Sequence, residues 1–328
     1  MRKHNPFGPS ASRSRPILWV IPLLLFIAIL IFQDAIYQTW ALITLKQYWR
    51  ANESDFILSA EHDDFDVTFA NYTPHQLTAG IPYTDVIPPV IHHIALGTSR
   101  EEWRPEWELA LKSCTDLHPG WETRLWTDTE AVPFIEEYFP DMKKMWDNYP
   151  YPIERIDALR YMILYEYGGV ILDLDIRCKH ALGPLRRFKF VAPEAHPTGF
   201  SISFLMASRH NEFIGDILQS LSLFNRRWFM LPYAAVMFST GGHFASVLHA
   251  IQSDRSENKI LPGPLHSLNG RVVTPLFEHL GSSSWHSYDA QLITMLGHAQ
   301  LVPIFFGIGI ALALYVRRRM IMRRLRLT

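Results

Sequence analysis

Residues 155–175 read RIDALRYMILYEYGGVILDLD, and this stretch carries a helix, a break and a strand that runs into acids. Pro152, just upstream, suits the first turn of a helix, where its missing N–H is no loss. From Ile153 to Tyr167 no Gly or Pro intervenes. Gly168-Gly169 then supplies the residue type that ends helices in a left-handed turn. Val170-Ile171-Leu172-Asp173-Leu174-Asp175 follows as a strand. Side chains two apart in a strand project from one face. Two carboxylates there repel unless a cation lies between them, and an all-oxygen donor pair suits Mg²⁺ or Mn²⁺, which also bridge to diphosphates. The plain alternative is a pair of acids on a solvated turn. On the helix, Asp157 and Arg160 stand three apart and share a face; as a mere surface pair they would contribute about 0.3 kcal/mol.

Upstream, Val90–Leu96 lies between Pro88-Pro89 and Gly97 and predicts a buried strand. A helix is expected from Trp103 to Cys114, a strand over Thr123–Asp128, and helical turns over Val132–Tyr138 and Met142–Trp146. Downstream, Phe188–Pro193 predicts a strand and Glu212–Phe224 a helix. Strands alternating with helices indicate an α/β sheet of parallel character, with ligands at the carboxyl ends of its strands. Residues 34–85 mix aromatic, acidic and polar side chains without a period. They predict a stem or irregular cap ahead of a domain at 86–292.

The 328 residues carry a formal net charge of −1, which argues against a nucleic-acid partner. With 48% hydrophobic residues the chain is no disordered tail. Its charges are unevenly placed. Arg2, Lys3, Arg13 and Arg15 lie at the start of Ile17–Phe32 (ILWVIPLLLFIAILIF) or before it. Arg317, Arg318, Arg319, Arg323, Arg324 and Arg326 follow Leu301–Val316 (LVPIFFGIGIALALYV). Without those cations the chain keeps 21 basic residues against 32 acidic ones. Each apolar run is short against the ~20 residues that span a bilayer, but thin secretory membranes accept short spans. The positive-inside rule then predicts cytosolic tails at 1–16 and 317–328, transmembrane helices at 17–33 and 297–316, and a luminal middle. The first run also has the form of a signal peptide, but no small-x-small cleavage site follows Phe32. Sequons at Asn52-Glu53-Ser54 and Asn71-Tyr72-Thr73 fit a luminal middle. Two cysteines, Cys114 and Cys178, rule out a disulfide scaffold and a CxxC metal module. Their separation leaves open whether they pair.

The string at 155–175 does not stand alone. IPPVIHHIALG (87–97), WETRLWTD (121–128), DNYPYPIERIDALRY (147–161), PYAAVMFSTGGHFAS (232–246) and GSSSWHSYDA (281–290) accompany it. Together they resemble the DXD sugar-binding region of glycosyltransferase family 32, and within it the fungal inositol phosphoceramide mannosyltransferases. The resemblance spans residues 86–292, and the flanking anchors are similar too. It implies a GT-A fold, Rossmann-like and nucleotide-sugar-binding, held on the luminal side of the Golgi membrane between two transmembrane helices. It implies Asp157, Asp173 and Asp175 as catalytic acids. Asp173 and Asp175 would hold Mn²⁺ (or Mg²⁺) against the diphosphate of GDP-mannose, and Asp157 and Arg160 would contact the donor sugar and its phosphates. An arginine fork donates two parallel hydrogen bonds to phosphate. His286 matches a late motif that returns to the metal, which makes it the candidate third ligand or diphosphate contact. The plain alternative is a surface histidine near the membrane, beside an interfacial Trp285. The implied reaction is retaining transfer of mannose to inositol phosphoceramide, a lipid acceptor that accounts for an anchor at each end. A small regulatory membrane subunit is an implied partner.

His92 and His93, at the end of the first strand, are candidates for base or ribose contacts, or else core histidines. Trp126 is expected in the core. Ser239-Thr240-Gly241-Gly242 fits a donor- or acceptor-site loop or an ordinary tight turn, and Asp289 is a further candidate beside His286. One departure from the family bears on activity. Where relatives carry a Gly-x-Ser-Asn-Asp-like stretch, this chain has Gly199-Phe200-Ser201-Ile202-Ser203, so Ile202 and Ser203 replace a polar pair that faces the sugar. Loss of an acid there would alter donor specificity or lower the rate. Two alternatives stay open: a glycan-extending mannosyltransferase of the same family, and a catalytically weakened membrane-bound paralogue acting as a regulatory partner.

Overall fold

The computed structural model describes residues 15–228, 231–281 and 289–290. The chain divides into two units, Met1–Thr44 and Leu45–Thr328. In the first, helix α1 begins at Arg15 and continues to Trp49. Leu23, Leu24, Phe26, Ile29, Ile31 and Phe32 are each more than half exposed on it, an apolar surface that water does not favour. Among the described residues no single helix is long and apolar enough to cross a membrane. Pro22–Gln33 and Ile36–Leu42, bent by 63°, meet that measure together. The expected span at 297–316 and tail at 317–328 lie outside the described residues.

The second unit continues with the short helices α2 (Glu53–Phe56) and α3 (Ala60–Asp63). Residues 64–89 form no helix or strand. Even so, Leu58, Phe65 and Phe69 are buried in one hydrophobic cluster with Ile87, Ile91 and Val170, so this irregular segment supplies part of the interior. Then come β1 (Val90–Ile94), α4 (Pro105–Leu117), β2 (Glu122–Trp126), α5 (Asp128–Tyr138), α6 (Pro140–Asp147), α7 (Pro152–Tyr167) and β3 (Gly169–Leu172). They are followed by β4 (Ile176–Cys178), β5 (Phe190–Pro193), β6 (Phe204–Ala207), α8 (Glu212–Phe224), α9 (Pro232–Ser239), α10 (Gly242–Ala250), β7 (Asn258–Leu261), α11 (Gly263–His266), β8 (Val272–Val273) and β9 (Phe277–His279).

Six strands form one sheet in the order β2-β1-β3-β6-β5-β7. β1 runs parallel to β2 and β3, and β5 parallel to β7, while β6 is antiparallel to both of its neighbours. The sheet is therefore mixed, where the alternation of elements suggests a parallel one. No helix intervenes between Pro193 and Phe204, and so short a link joins antiparallel neighbours. β4, β9 and β8 make a second, antiparallel sheet.

Two devices place the end of β3. At the joint with α7, Gly168 and Gly169 have φ of +65° and +95°. A Cβ on Gly169 would lie 2.5 Å from the Val90 carbonyl oxygen, and one on Gly168 2.7 Å from the Arg209 nitrogen, so only glycine fits both backbone and space. The joint lets β3 lie against β1 with Ile91 opposite Val170. Past β3, Cys114 of α4 and Cys178 of β4 form a disulfide, Cα atoms 4.9 Å apart, which answers the pairing question that the sequence leaves open.

Candidate active site

β3 ends at Leu172, and Asp173-Leu174-Asp175 is the turn into β4. The one-face geometry expected of a strand does not apply; a turn is the setting that short acidic side chains favour. Backbone bonds fix it. Asp173 N–H donates to Ser203 C=O at 2.9 Å, Ile176 N–H to Asp173 C=O at 3.1 Å, and Leu280 N–H to Asp175 C=O at 2.9 Å. β4 is pinned in turn by the disulfide and by Ser113 Oγ, which accepts from Cys178 N–H at 3.0 Å.

Helix α7 brings Asp157 and Arg160 to this turn, both buried. Arg160 lies between two carboxylates: its Nε is 3.5 Å from Asp157 Oδ1, and its Nη1 bonds Asp173 Oδ1. The same Nη1 donates to Ile202 C=O at 3.2 Å. Thr240 Oγ1 donates to Asp157 Oδ2 at 3.1 Å, while Thr240 C=O accepts from the Tyr161 hydroxyl at 2.8 Å. Burial pushes the Asp157 carboxyl up to about 7, against the pull of Arg160 and Thr240. It raises Asp173 too, again opposed by Arg160. From β9, His279 places Nε2 3.4 Å from Asp175 Oδ2 and Nδ1 2.6 Å from Gly270 C=O. Burial by itself would lower this imidazole; the hydrogen bond and charge of Asp175 outweigh it and raise it. Asp157, Arg160 and Asp173 thus form an alternating run of charges, and Asp175 with His279 extends it past the turn.

Asp173 keeps 30% of its side-chain surface and Asp175 14%. Two carboxylates with no thiolate beside them, since both cysteines are oxidised, form a donor set that fits hard Mn²⁺ or Mg²⁺. Among the described residues no group of three His, Cys, Asp or Glu is arranged to hold a metal ion. His286, the expected third ligand, lies outside the described residues.

Several candidates serve the fold instead. His92 is bonded through Nε2 to Gly168 C=O at 3.0 Å, and its Nδ1 accepts from Trp126 Nε1 at 3.2 Å. Burial lowers it to about 3, so a neutral imidazole ties β1 to β2 and to the glycine joint, with neither nitrogen left for a base or ribose. His93 bonds Leu172 C=O through Nδ1 at 3.0 Å, and its Nε2 has no partner among the described residues. Trp126 is buried, as expected. Asp289 accepts from Tyr233 N–H at 2.9 Å and Ala234 N–H at 3.2 Å, which makes it the cap of α9. The turn Ser239–Gly242 links α9 to α10 and braces Asp157 through Thr240. Ile202 and Ser203 lie against the site, where their carbonyls rather than their side chains hold Arg160 and the Asp173 amide.

Sequence reasoning does not find His279, which reaches Asp175 from a remote hairpin with no local signal. It also passes over Glu154, although its spacing of three from Asp157 on α7 places the two on one face.

Residues 104–191 match the family described as a glycosyltransferase sugar-binding region containing a DXD motif. The chain is 33% identical over 248 residues to inositol phosphoceramide mannosyltransferase 1 of Schizosaccharomyces pombe, covering 73% of this chain and 75% of that one. It is 36% identical over 235 residues to mannosyl phosphorylinositol ceramide synthase SUR1 of Saccharomyces cerevisiae, covering 69% of this chain and 59% of that one. Among solved structures, the PaToxG glycosyltransferase matches with a TM-score of 0.40 at 14% identity, covering 66% of this chain and 79% of that one.

Proposed function

The chain belongs to the glycosyltransferases whose sugar-binding region contains the DXD motif, and from that premise we propose that it is a GT-A mannosyltransferase that moves mannose from GDP-mannose to inositol phosphoceramide, with retention at C1. The observation that carries this reading is the meeting of Asp157, Arg160 and Asp173, from two separate elements, beside Asp175. A relative named for that lipid transfer supports the acceptor.

Asp173 and Asp175 would hold Mn²⁺ or Mg²⁺, which when bound neutralises charge on a departing diphosphate. Arg160 fixes the carboxylates of Asp157 and Asp173 around one guanidinium, so these acids are oriented before substrate arrives. Asp157, its carboxyl raised by burial to about 7, is suited to a hydrogen bond with sugar hydroxyls. In the transfer, the bond from mannose C1 to the diphosphate oxygen breaks and the inositol oxygen bonds to C1. The hydroxyl proton leaves with the diphosphate. The backbone carbonyls of Ile202 and Ser203 support the acid–base frame, so the altered side chains there do not strip it.

The proposal places the domain in the lumen of the Golgi, with α1 and the run at 297–316 as anchors, both termini cytosolic and a small regulatory membrane subunit as partner. The exposed apolar side chains of α1 support an anchor. The Cys114–Cys178 disulfide supports an oxidising compartment. Membranes that carry the full chain, given labelled GDP-mannose and inositol phosphoceramide, are expected to yield mannosylated lipid. Label that goes only to glycan acceptors would replace this reading with glycan extension.

A further inference from the structure

One helical turn before Asp157, Glu154 is only 1% exposed. Its Oε2 accepts from Tyr151 N–H at 3.2 Å, and burial pushes its carboxyl up to about 7, with Asp157 adding to the rise. Burial of Tyr149, together with the charges of Glu154 and Asp157, raises its phenol. Its hydroxyl is buried and finds no partner among the described residues. Buried polar atoms are rarely left unbonded, so this hydroxyl has hydrogen-bonding capacity that the described residues do not use.

The loop after α8 reads Asn225-Arg226-Arg227-Trp228. Ser239 Oγ donates to Arg226 C=O at 3.3 Å, and the next residue, Thr240, holds Asp157. One turn therefore ties the basic loop to the site acid. Arg227 is exposed, and its charge pulls the Glu154 carboxyl down. Glu154 lies six residues from Arg160, about 9 Å along the helix axis. Glu154 thus stands apart from the Asp173–Asp175 turn, beyond Asp157 along α7.

We infer that Tyr149, Glu154 and Arg227 form the station for the acceptor headgroup. Arg227 meets its phosphodiester at the mouth, and the buried tyrosine and carboxyl take hydroxyls of its polyol ring. An exposed arginine suits a phosphate ester, and a phenol both gives and takes hydrogen bonds with hydroxyls while a carboxyl takes them. This rests on the lipid acceptor proposed above. The donor diphosphate offers the same phosphate chemistry, so the test must separate the two sources.

Full-length chain would be assayed with inositol phosphoceramide and GDP-mannose varied in turn, and titrated with glycerophosphoinositol and with myo-inositol by ligand-observed NMR. Arg227→Ala is expected to raise the acceptor KM about tenfold, the loss of one charge-assisted contact, while the donor KM stays within about twofold. It should weaken glycerophosphoinositol and leave myo-inositol binding unchanged, and Arg227→Lys should recover part of the loss. Glu154→Gln and Tyr149→Phe should weaken both probes. A rise in donor KM instead would give Arg227 to the diphosphate, and unchanged constants throughout would make it a plain surface residue; either overturns the inference. If wild type makes no mannosyl lipid yet binds glycerophosphoinositol through Arg227, the transfer reading fails and the headgroup station stands.

Discussion

Glu154 and Asp157 sit one turn apart on α7, both buried and both pushed up to about 7, yet their surroundings differ. Around Asp157 both carboxylate oxygens face a partner: Arg160 bridges it to Asp173, and Thr240 bonds its second oxygen. Around Glu154 the protein offers the Tyr151 amide, an exposed arginine and a phenol with no partner among the described residues. A closed set of charges is costly to open but keeps its acids in place. An incomplete set has room for someone else's hydroxyls. The contrast separates a half built to hold charge from a half built to receive a neutral ring.

The contrast would break most visibly at Arg160. Arg160→Ala leaves the buried Asp157 and the half-buried Asp173 without their shared cation, and is expected to cost about 3 kcal/mol of stability together with a rate loss on the order of a thousandfold. Urea unfolding within about 1 kcal/mol of wild type would mean the charges are not closed around it. Next in size is the staple behind the turn. Cys114→Ser with Cys178→Ser removes a cross-link between residues 64 apart, and should lower stability by about 2–5 kcal/mol. Melting with and without reductant checks it, since reductant should shift wild type and leave the double variant unmoved.

The acids themselves give a pH signature. For Glu154 the folded carboxyl keeps its proton up to about 7, while the unfolded one loses it near 4.5. The folded state therefore binds more protons between those values, and its stability falls as pH rises from 4.5 to 7 and stays lowered above. Glu154→Gln should remove that part of the slope, and Asp157→Asn the matching part between 3.8 and about 7. Urea midpoints at pH 5, 6 and 7 measure both; an unchanged slope in Glu154→Gln would show that its burial does not hold the proton. The smallest effect is expected at Tyr149→Phe, which removes a hydroxyl unbonded within the described residues and should shift stability by less than about 1 kcal/mol. A loss well beyond that would reveal a structural partner and sharpen the boundary between the halves.

Much of this was legible in the sequence where the signal is local. The run from Pro152 to Gly168-Gly169 predicts α7 to within a residue, because proline, an unbroken helical stretch and two glycines each act on their own neighbours. The gathering of Asp157, Arg160 and Asp173 follows once helix and strand are joined through that glycine pair. What depends on distant chain was not legible. The antiparallel course of β6, the approach of His279 to Asp175 and the 4.9 Å between Cα atoms of Cys114 and Cys178 are set by packing across the fold. The end of β3 at Leu172 was misjudged because an apolar run does not mark the residue where a ladder stops. The sequence offers His92 as a ligand contact, but Trp126 and Gly168 occupy both of its nitrogens.

The most direct measurement is mannose transfer to inositol phosphoceramide by membranes carrying wild type, Asp173→Asn or Asp175→Asn, each with Mn²⁺ and after chelation. Metal-dependent product from wild type, reduced on the order of a thousandfold by either substitution, is the predicted result. Undiminished product from both variants would contradict it, because the turn at Asp173-Leu174-Asp175 would then not be where the donor is held.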